Sequence, residues 1–132
     1  MLTFHLILSD SAIARQQVKR DKESGQIEFT PHSTLKVGDI FIDQTEILNI
    51  HWLEYIYFIG RDSTQETYEK ALPGSSNFWF RMPEHRYEPI TLISYEQVLD
   101  YCKWRSKVVT DRFGIEVEYR LPTVEEWEQV AT

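Results

Sequence analysis

The spacing of apolar residues predicts where the helices of this chain lie. From Tyr95 to Phe113, apolar side chains recur at steps of three and four on two faces, which predicts one long helix ended by Gly114. The run from Ile50 to Ile59 is apolar on most sides, so it predicts a helix that is buried or partly covered by another chain. Asn49 is the expected N-cap of this helix and Gly60 its expected end.

Stretches rich in β-branched residues predict short strands. Ile40 to Asp43 is one of them, after a hairpin turn at residues 37–39, and Ile27 to Thr30 is another. Residues 117–121 alternate apolar and polar side chains, as a strand with one solvated face does. A weaker helical piece runs from Gln65 to Leu72. The pattern predicts an α+β fold with about three main helices and short strands.

Two helix starts carry a capping box, in which a hydroxyl and a longer polar side chain satisfy the free backbone N–H groups. Ser94 with Gln97 opens the long helix, and Thr123 with Glu126 opens a short last helix. Pro122, just before the second cap, turns the chain at little cost because it has no N–H to satisfy. The end of the chain therefore reads as strand, capped helix, strand, capped helix.

Aromatic residues supply the candidate surface. Phe78, Trp79 and Phe80 stand side by side, either as an inward-facing strand, which we favour, or as an exposed patch that a ligand or partner covers. Trp127 lies on the apolar stripe of the short last helix, which is marginal unless that face is packed. It either docks on the long helix or is covered by another copy or a different protein.

Composition excludes several classes of protein. The 132 residues suit one domain, and 21 acidic against 14 basic side chains give a net charge of −7. This balance weighs against a nucleic-acid or anionic-membrane binder. No apolar run is long enough to span a bilayer. The single cysteine, Cys102, excludes an internal disulfide, and we expect a buried side chain rather than a reactive thiol.

Three ordered motifs resemble the formylglycine-generating-enzyme, or sulfatase-modifying-factor, domain. The first is F-I-D-Q-T-E-I-L-N-I from Phe41 to Ile50, continued by Tyr55 and Phe58. The other two match the family's Pro-Val strand with its Ser-Trp-(Glu/Asp) and Tyr-Cys-x-Trp helix, and its Tyr-Arg-Leu-Pro-Thr-x-x-Glu-Trp-Glu run. They comprise Pro89, Ile90, Ser94, Tyr95, Glu96, Tyr101, Cys102 and Trp104, then Tyr119, Arg120, Leu121, Pro122, Thr123, Glu126, Trp127 and Glu128.

The resemblance implies a scaffold similar to the C-type lectin fold. Similar family members continue past the Glu-Trp-Glu helix into calcium-binding loops and, in the enzymes, a pair of copper-binding cysteines. We therefore expect residues 26–132 to form a partial or abbreviated domain, with no catalytic residue, metal or cofactor carried over. Residues 1–25 are expected to be an N-terminal arm or the remnant of an export signal.

Few residues suggest chemistry of their own. His85 with its neighbours Glu84 and Glu88 could contribute to a metal site, but one imidazole is not a ligand set. Asp43 and Glu46 could act as general acid and base, although the resemblance favours a structural role for both. Arg120 resembles the family's structural arginine, paired with Glu126 or Glu128. The residues expected to be structural are Asp43, Glu46, Asn49, Ser94, Arg120, Thr123 and Glu126.

Three function classes are compatible with the sequence. The first is a non-catalytic domain used in protein assembly, with another chain or a second copy as partner. Its opening and its Tyr-Cys-Lys-Trp helix are similar to bacterial gliding and secretion lipoproteins, which favours the cell envelope, or the cytoplasm if the N-terminus is complete. The second is a small-ligand or glycan-binding module, and the third is an oxidase or iron-dependent enzyme. The partner surface expected from the sequence comprises Phe78, Trp79, Phe80 and Trp127.

Overall fold

The computed structural model describes residues 7–9, 34–37, 40–43, 45–74, 78–114 and 116–131. Within this part, the chain has an α+β fold with four short strands and four α-helices. The described residues fall into two compact units, the first within 45–101 and the second comprising the strands together with residues from 102 onward. The predicted fold class is confirmed.

The strands of the second unit form a sheet in the order β2, β3, β1, β4. They are β1 (Ile7–Ser9), β2 (Thr34–Val37), β3 (Ile40–Asp43) and β4 (Tyr119–Arg120). β2 pairs antiparallel with β3, with Val37 opposite Ile40, and β1 pairs antiparallel with both β3 and β4. All four residues of β3 are buried, in keeping with its inner position in the sheet and with the apolar side chains of its first three residues.

Helix α1 (Asn49–Asp62) occupies the predicted position with different ends. The residue before the helix is Leu48, so the prediction of Asn49 as N-cap was wrong. Asn49 is instead buried in the first turn, and its side-chain amide donates a hydrogen bond outside the helix. Gly60 does not end the helix, which continues to Asp62; a Cβ at Gly60 would lie 3.1 Å from the ring of Tyr68.

Three further α-helices follow in the chain, and the last two begin at the predicted caps. They are α2 (Gln65–Ala71), α3 (Tyr95–Phe113) and α4 (Val124–Ala131). The Gln97 N–H donates to Ser94 Oγ at 3.1 Å and the Ser94 N–H to Gln97 Oε1 at 2.7 Å, so the predicted capping box is formed. Gly114 follows α3 with a φ of 66°, a left-handed conformation that glycine adopts without a Cβ penalty.

The core of the first unit is built on three rings from α1 and α3. Trp52 has 0% exposed surface, and its ring stacks on Tyr101 with 5.2 Å between centroids. Tyr55 meets both rings edge-on, at 5.0 and 5.1 Å. The Trp52 indole N–H donates to the Ala71 carbonyl oxygen at 2.8 Å, so the buried polar atom is satisfied.

Parts of the sequence prediction fall outside the described residues. The strand expected at 27–30 is among them, as are residues 38 and 39 of the expected hairpin turn, whereas Val37 is the last residue of β2. Ile7–Ser9 belongs to the stretch expected to be an arm, and it pairs in the sheet between β3 and β4. Within the described part of the chain, no helix is both long enough and apolar enough to cross a membrane.

Candidate functional site

The candidate site of the first unit lies along residues 78–88, named here the aromatic segment. The sequence favoured an inward strand at Phe78, Trp79 and Phe80, and that prediction was wrong because residues 79–81 form a 3-10 turn. The turn separates the three rings. Phe78 is 73% exposed and Trp79 52% exposed, while Phe80 is only 3% exposed and belongs to the core rather than to the expected surface.

Helix α1 anchors the far end of the aromatic segment through its own free N–H groups. The Asn49 N–H donates to the Glu88 carbonyl at 2.8 Å and the Ile50 N–H to the Arg86 carbonyl at 3.0 Å. The Asn49 side-chain amide donates to the His85 carbonyl at 2.7 Å. The first turn of a helix leaves its N–H groups without intrahelical partners, so these bonds satisfy both elements at once.

Trp79, His85 and Glu88 form one cluster within the segment. The indole ring of Trp79 stacks on the imidazole of His85 with 3.4 Å between centroids. Its N–H donates to Glu88 Oε1 at 3.3 Å, and Glu88 Oε2 is hydrogen-bonded to His85 Nδ1. The bond from His85, followed by the one from Trp79, holds the pKa of the Glu88 carboxyl below its ordinary value. The segment therefore presents its exposed rings from a fixed backbone.

A groove of about 880 Å³ adjoins the aromatic segment in the same unit. The end of α2, residues 72–74, the start of α3 and the side chains of Phe78, Phe80 and Arg81 line it. Leu92 forms part of the wall with a φ of 60°, which is costly for a bulky side chain. The Gly74 N–H donates to the Leu92 carbonyl at 2.8 Å, and a Cβ on Gly74 would lie 3.3 Å from Leu92 Cβ. Glycine thus permits the close approach that closes this wall.

In the second unit, Asp43 binds a residue that the sequence analysis missed. Its two carboxylate oxygens each accept a hydrogen bond of 2.8 Å from the guanidinium of Arg105. The same guanidinium carbon lies 4.1 Å from the centre of the Tyr119 ring. Asp43 and Arg105 are 62 positions apart, so no local pattern links them, although Arg105 directly follows the matched Tyr-Cys-x-Trp motif. Glu46, the other candidate acid, is half-buried and lies in the first unit.

The other predicted residues of the second unit meet at the start of α4. Arg120 donates to both carboxylate oxygens of Glu126 at 2.7 Å, so Glu126 rather than Glu128 is its partner. Glu126 also accepts the Thr123 N–H at 2.9 Å and donates its own N–H to Thr123 Oγ1. The hydrogen bonds from Arg120, and to a smaller extent those from Thr123, lower the pKa of the Glu126 carboxyl from 4.5 to about 2. Trp127, the next residue of α4, is 45% exposed.

The surroundings of Cys102 and His51 are also defined. Cys102 is buried, and burial raises the pKa of its thiol to about 11, so the thiol is protonated at neutral pH. His51 accepts the Leu48 N–H at its Nδ1 atom, at 2.9 Å. Among the described residues, no group of three or more His, Cys, Asp or Glu side chains is arranged to hold a metal ion.

Comparison with known families gives one match. The model of the sulfatase-modifying factor enzyme 1-like domain, abbreviated FGE-sulfatase, matches residues 9–132. This span includes all three motifs on which the resemblance rested, together with β2 to β4 and every helix described above. No curated protein and no solved structure matches the chain.

Proposed function

This chain belongs to the sulfatase-modifying factor enzyme 1-like family, and we propose that it is a non-catalytic member that acts in protein–protein assembly. The observation that carries the proposal is the aromatic segment, whose Phe78, Trp79 and Tyr87 side chains are more than half exposed. Exposed aromatic side chains on an ordered backbone are typical of interface anchors, since they bring large contact area at little cost in conformational entropy.

The state of two potentially reactive groups supports a role in binding rather than turnover. Both carboxylate oxygens of Asp43 accept hydrogen bonds from the Arg105 guanidinium, which is consistent with a structural role for this carboxylate. The thiol of Cys102 is buried with a pKa of about 11, whereas a nucleophilic or metal-binding cysteine needs the thiolate. By the resemblance described above, the cell envelope is the proposed compartment.

A photo-cross-linking experiment tests the proposal. Replacing Phe78 by p-benzoylphenylalanine keeps an aromatic ring at the surface and should give one discrete covalent adduct with a protein in the native cells. The same substitution at Tyr57, an exposed ring on α1 outside the segment, is the matched control. Trp79→Ser should remove the adduct at position 78. Adducts that are absent, or identical at positions 57 and 78, would contradict assembly through this segment.

Light scattering over a range of concentrations separates the two kinds of partner. A mass that rises with concentration, and that Trp79→Ser returns to the monomer, identifies a second copy as the partner. A constant monomer together with a discrete heterologous adduct identifies a different chain. Aldehyde formed on a sulfatase peptide by the purified chain with copper would overturn the non-catalytic assignment.

A small-ligand or glycan-binding role is the second candidate, because the groove beside the segment has the size of a ligand site. Ligand pockets measure about 300–1,000 Å³, and this groove measures about 880 Å³. Under this alternative the chain stays monomeric, gives no protein adduct at position 78 and binds a glycan in the groove with a dissociation constant that Phe78→Ser raises, because Phe78 lines the groove.

A further inference from the structure

We propose that the groove beside the aromatic segment receives a basic side chain, Arg or Lys, from the bound partner protein, with its aliphatic stem on the apolar wall. The inference rests on the proposed function and adds the chemistry of the partner. The wall of the groove provides the surface for the stem: Leu72, Phe78 and Leu92 line it, and Phe78 and Leu92 are exposed. Phe78 belongs both to the groove and to the aromatic segment, so the two surfaces are continuous.

The charges along the groove favour a cation. Glu69, Glu96 and Asp100 line it and are exposed. The two cations of the lining already have neighbours within the unit. Lys70 Nζ lies 3.1 Å from Glu66 Oε1, while Arg81 donates to the Tyr68 hydroxyl at 3.3 Å and lies over the Phe80 ring at 4.9 Å. The three carboxylates outnumber these two cations, so the lining keeps a net negative charge that favours a cationic group.

The neutral polar groups of the groove point to the same ligand chemistry. Gln97 accepts the Ser94 N–H and donates to the carbonyls of Lys70 and Leu72 at 2.9 and 2.7 Å, so both donors of its amide are used. Ser94 Oγ accepts the Gln97 N–H. The groups still able to bind a ligand are chiefly carboxylate acceptors, and they are best satisfied by a group that brings several donors, as guanidinium and ammonium do.

Asp100 already acts electrostatically inside this unit. Burial is the main cause that raises the pKa of the Tyr55 hydroxyl to about 12, and the negative charge of Asp100 adds to it. The field that disfavours a phenolate favours a cation in the groove, and salt should weaken such binding.

The test uses the whole chain, labelled with ¹⁵N, and small probes in place of the partner. N-acetyl-arginine amide should give saturable amide shifts at Gly74, Leu92 and Gln97. Its citrulline counterpart has nearly the same shape without the charge, and it should bind about threefold to tenfold more weakly, since partly exposed ionic contacts have modest energies. The double variant Glu96→Gln/Asp100→Asn should lower the arginine-amide affinity by a similar factor. Glu54→Gln, an exposed carboxylate of the same unit outside the groove, should leave it unchanged.

The outcomes separate this inference from the proposed function. Equal binding of the arginine and citrulline probes, shifts outside the groove or no saturable shift would overturn it, even where the cross-link at position 78 persists. Spermidine binding without arginine-amide binding would assign the groove to a polyamine and would also overturn it. Trp79→Ser should abolish the cross-link yet leave the probe titration intact, because Trp79 does not line the groove.

Discussion

Different kinds of interaction stabilise the interior of each of the two units. In the first, three stacked or edge-on rings fill the core, and the one indole N–H among them is satisfied by a carbonyl. In the second, two arginines form bidentate ion pairs, Arg105 with Asp43 and Arg120 with Glu126. Ring packing depends on shape and burial, whereas bidentate pairs depend on charge and geometry. The units should therefore respond differently to cavities, to lost charges and to acid.

The largest effect is expected from Trp52→Ala. Trp52 is fully buried between two other rings, so truncation should leave a cavity and a carbonyl at Ala71 without its donor. We expect the free energy of unfolding to fall by about 3–5 kcal/mol. Urea unfolding followed by circular dichroism measures this. Tyr57→Ala, an exposed ring on the same helix, should cost far less, and equal losses for the two variants would contradict a ring-built core.

A smaller but still large effect is expected from Arg105→Ala in the second unit. The side chain of Asp43 is only 5% exposed, so removing its bidentate donor leaves a buried carboxylate poorly satisfied. The expected loss in the free energy of unfolding is about 3 kcal/mol. Arg105→Lys should recover only part of it, because an ammonium cannot bind both oxygens in the same plane.

Lys107→Ala is the control for the arginine variant. Lys107 lies on the same helix, and its ion pair with Asp111 is exposed on both sides, so it should contribute little. A loss at Lys107 as large as that at Arg105 would mean that helix α3, rather than the buried pair, determines the effect.

Low pH should remove the contribution of the Arg120–Glu126 pair to the free energy of unfolding. Its folded-state pKa of about 2 lies below the ordinary 4.5, so the pair's contribution is fully present above pH 4.5 and is lost as pH falls toward about 2. Glu126→Gln should therefore lower the free energy of unfolding by about 1 kcal/mol at neutral pH and by progressively less in acid. Glu128→Gln, exposed on the same helix, should give no such pH-dependent difference.

The sequence predicted what is local and missed what is long-range. Both capping boxes and the end of α3 depend on residues within a few positions, so the pattern located them. The contact of Arg105 with Asp43 spans 62 positions and could not be read from periodicity. Asparagine is a residue type preferred at N-caps, yet Asn49 is buried against the aromatic segment and its side-chain amide donates to the His85 carbonyl.

The candidate site was predicted by residue type but not by geometry. An alternating strand would have put Phe78 and Phe80 on the same side, whereas the 3-10 turn, with about three residues per turn, separates them. The groove was not predicted at all, because its wall needs Leu92 in a left-handed conformation and its carboxylates come from two helices. A leucine gives no sequence signal for such a conformation, as a glycine would.

The smallest effect on stability is expected from Phe78→Ser, and it gives the sharpest separation of fold from function. Phe78 is 73% exposed, so its loss should change the free energy of unfolding by less than about 0.5 kcal/mol. Phe80→Ser, two residues away at a site 3% exposed, should cost several-fold more and is the matched comparison. If the proposed function is right, Phe78→Ser also loses partner binding, as measured by cross-linking from a benzoylphenylalanine at Tyr87. A variant that is as stable as the parent and still binds would show that this ring is neither structural nor functional.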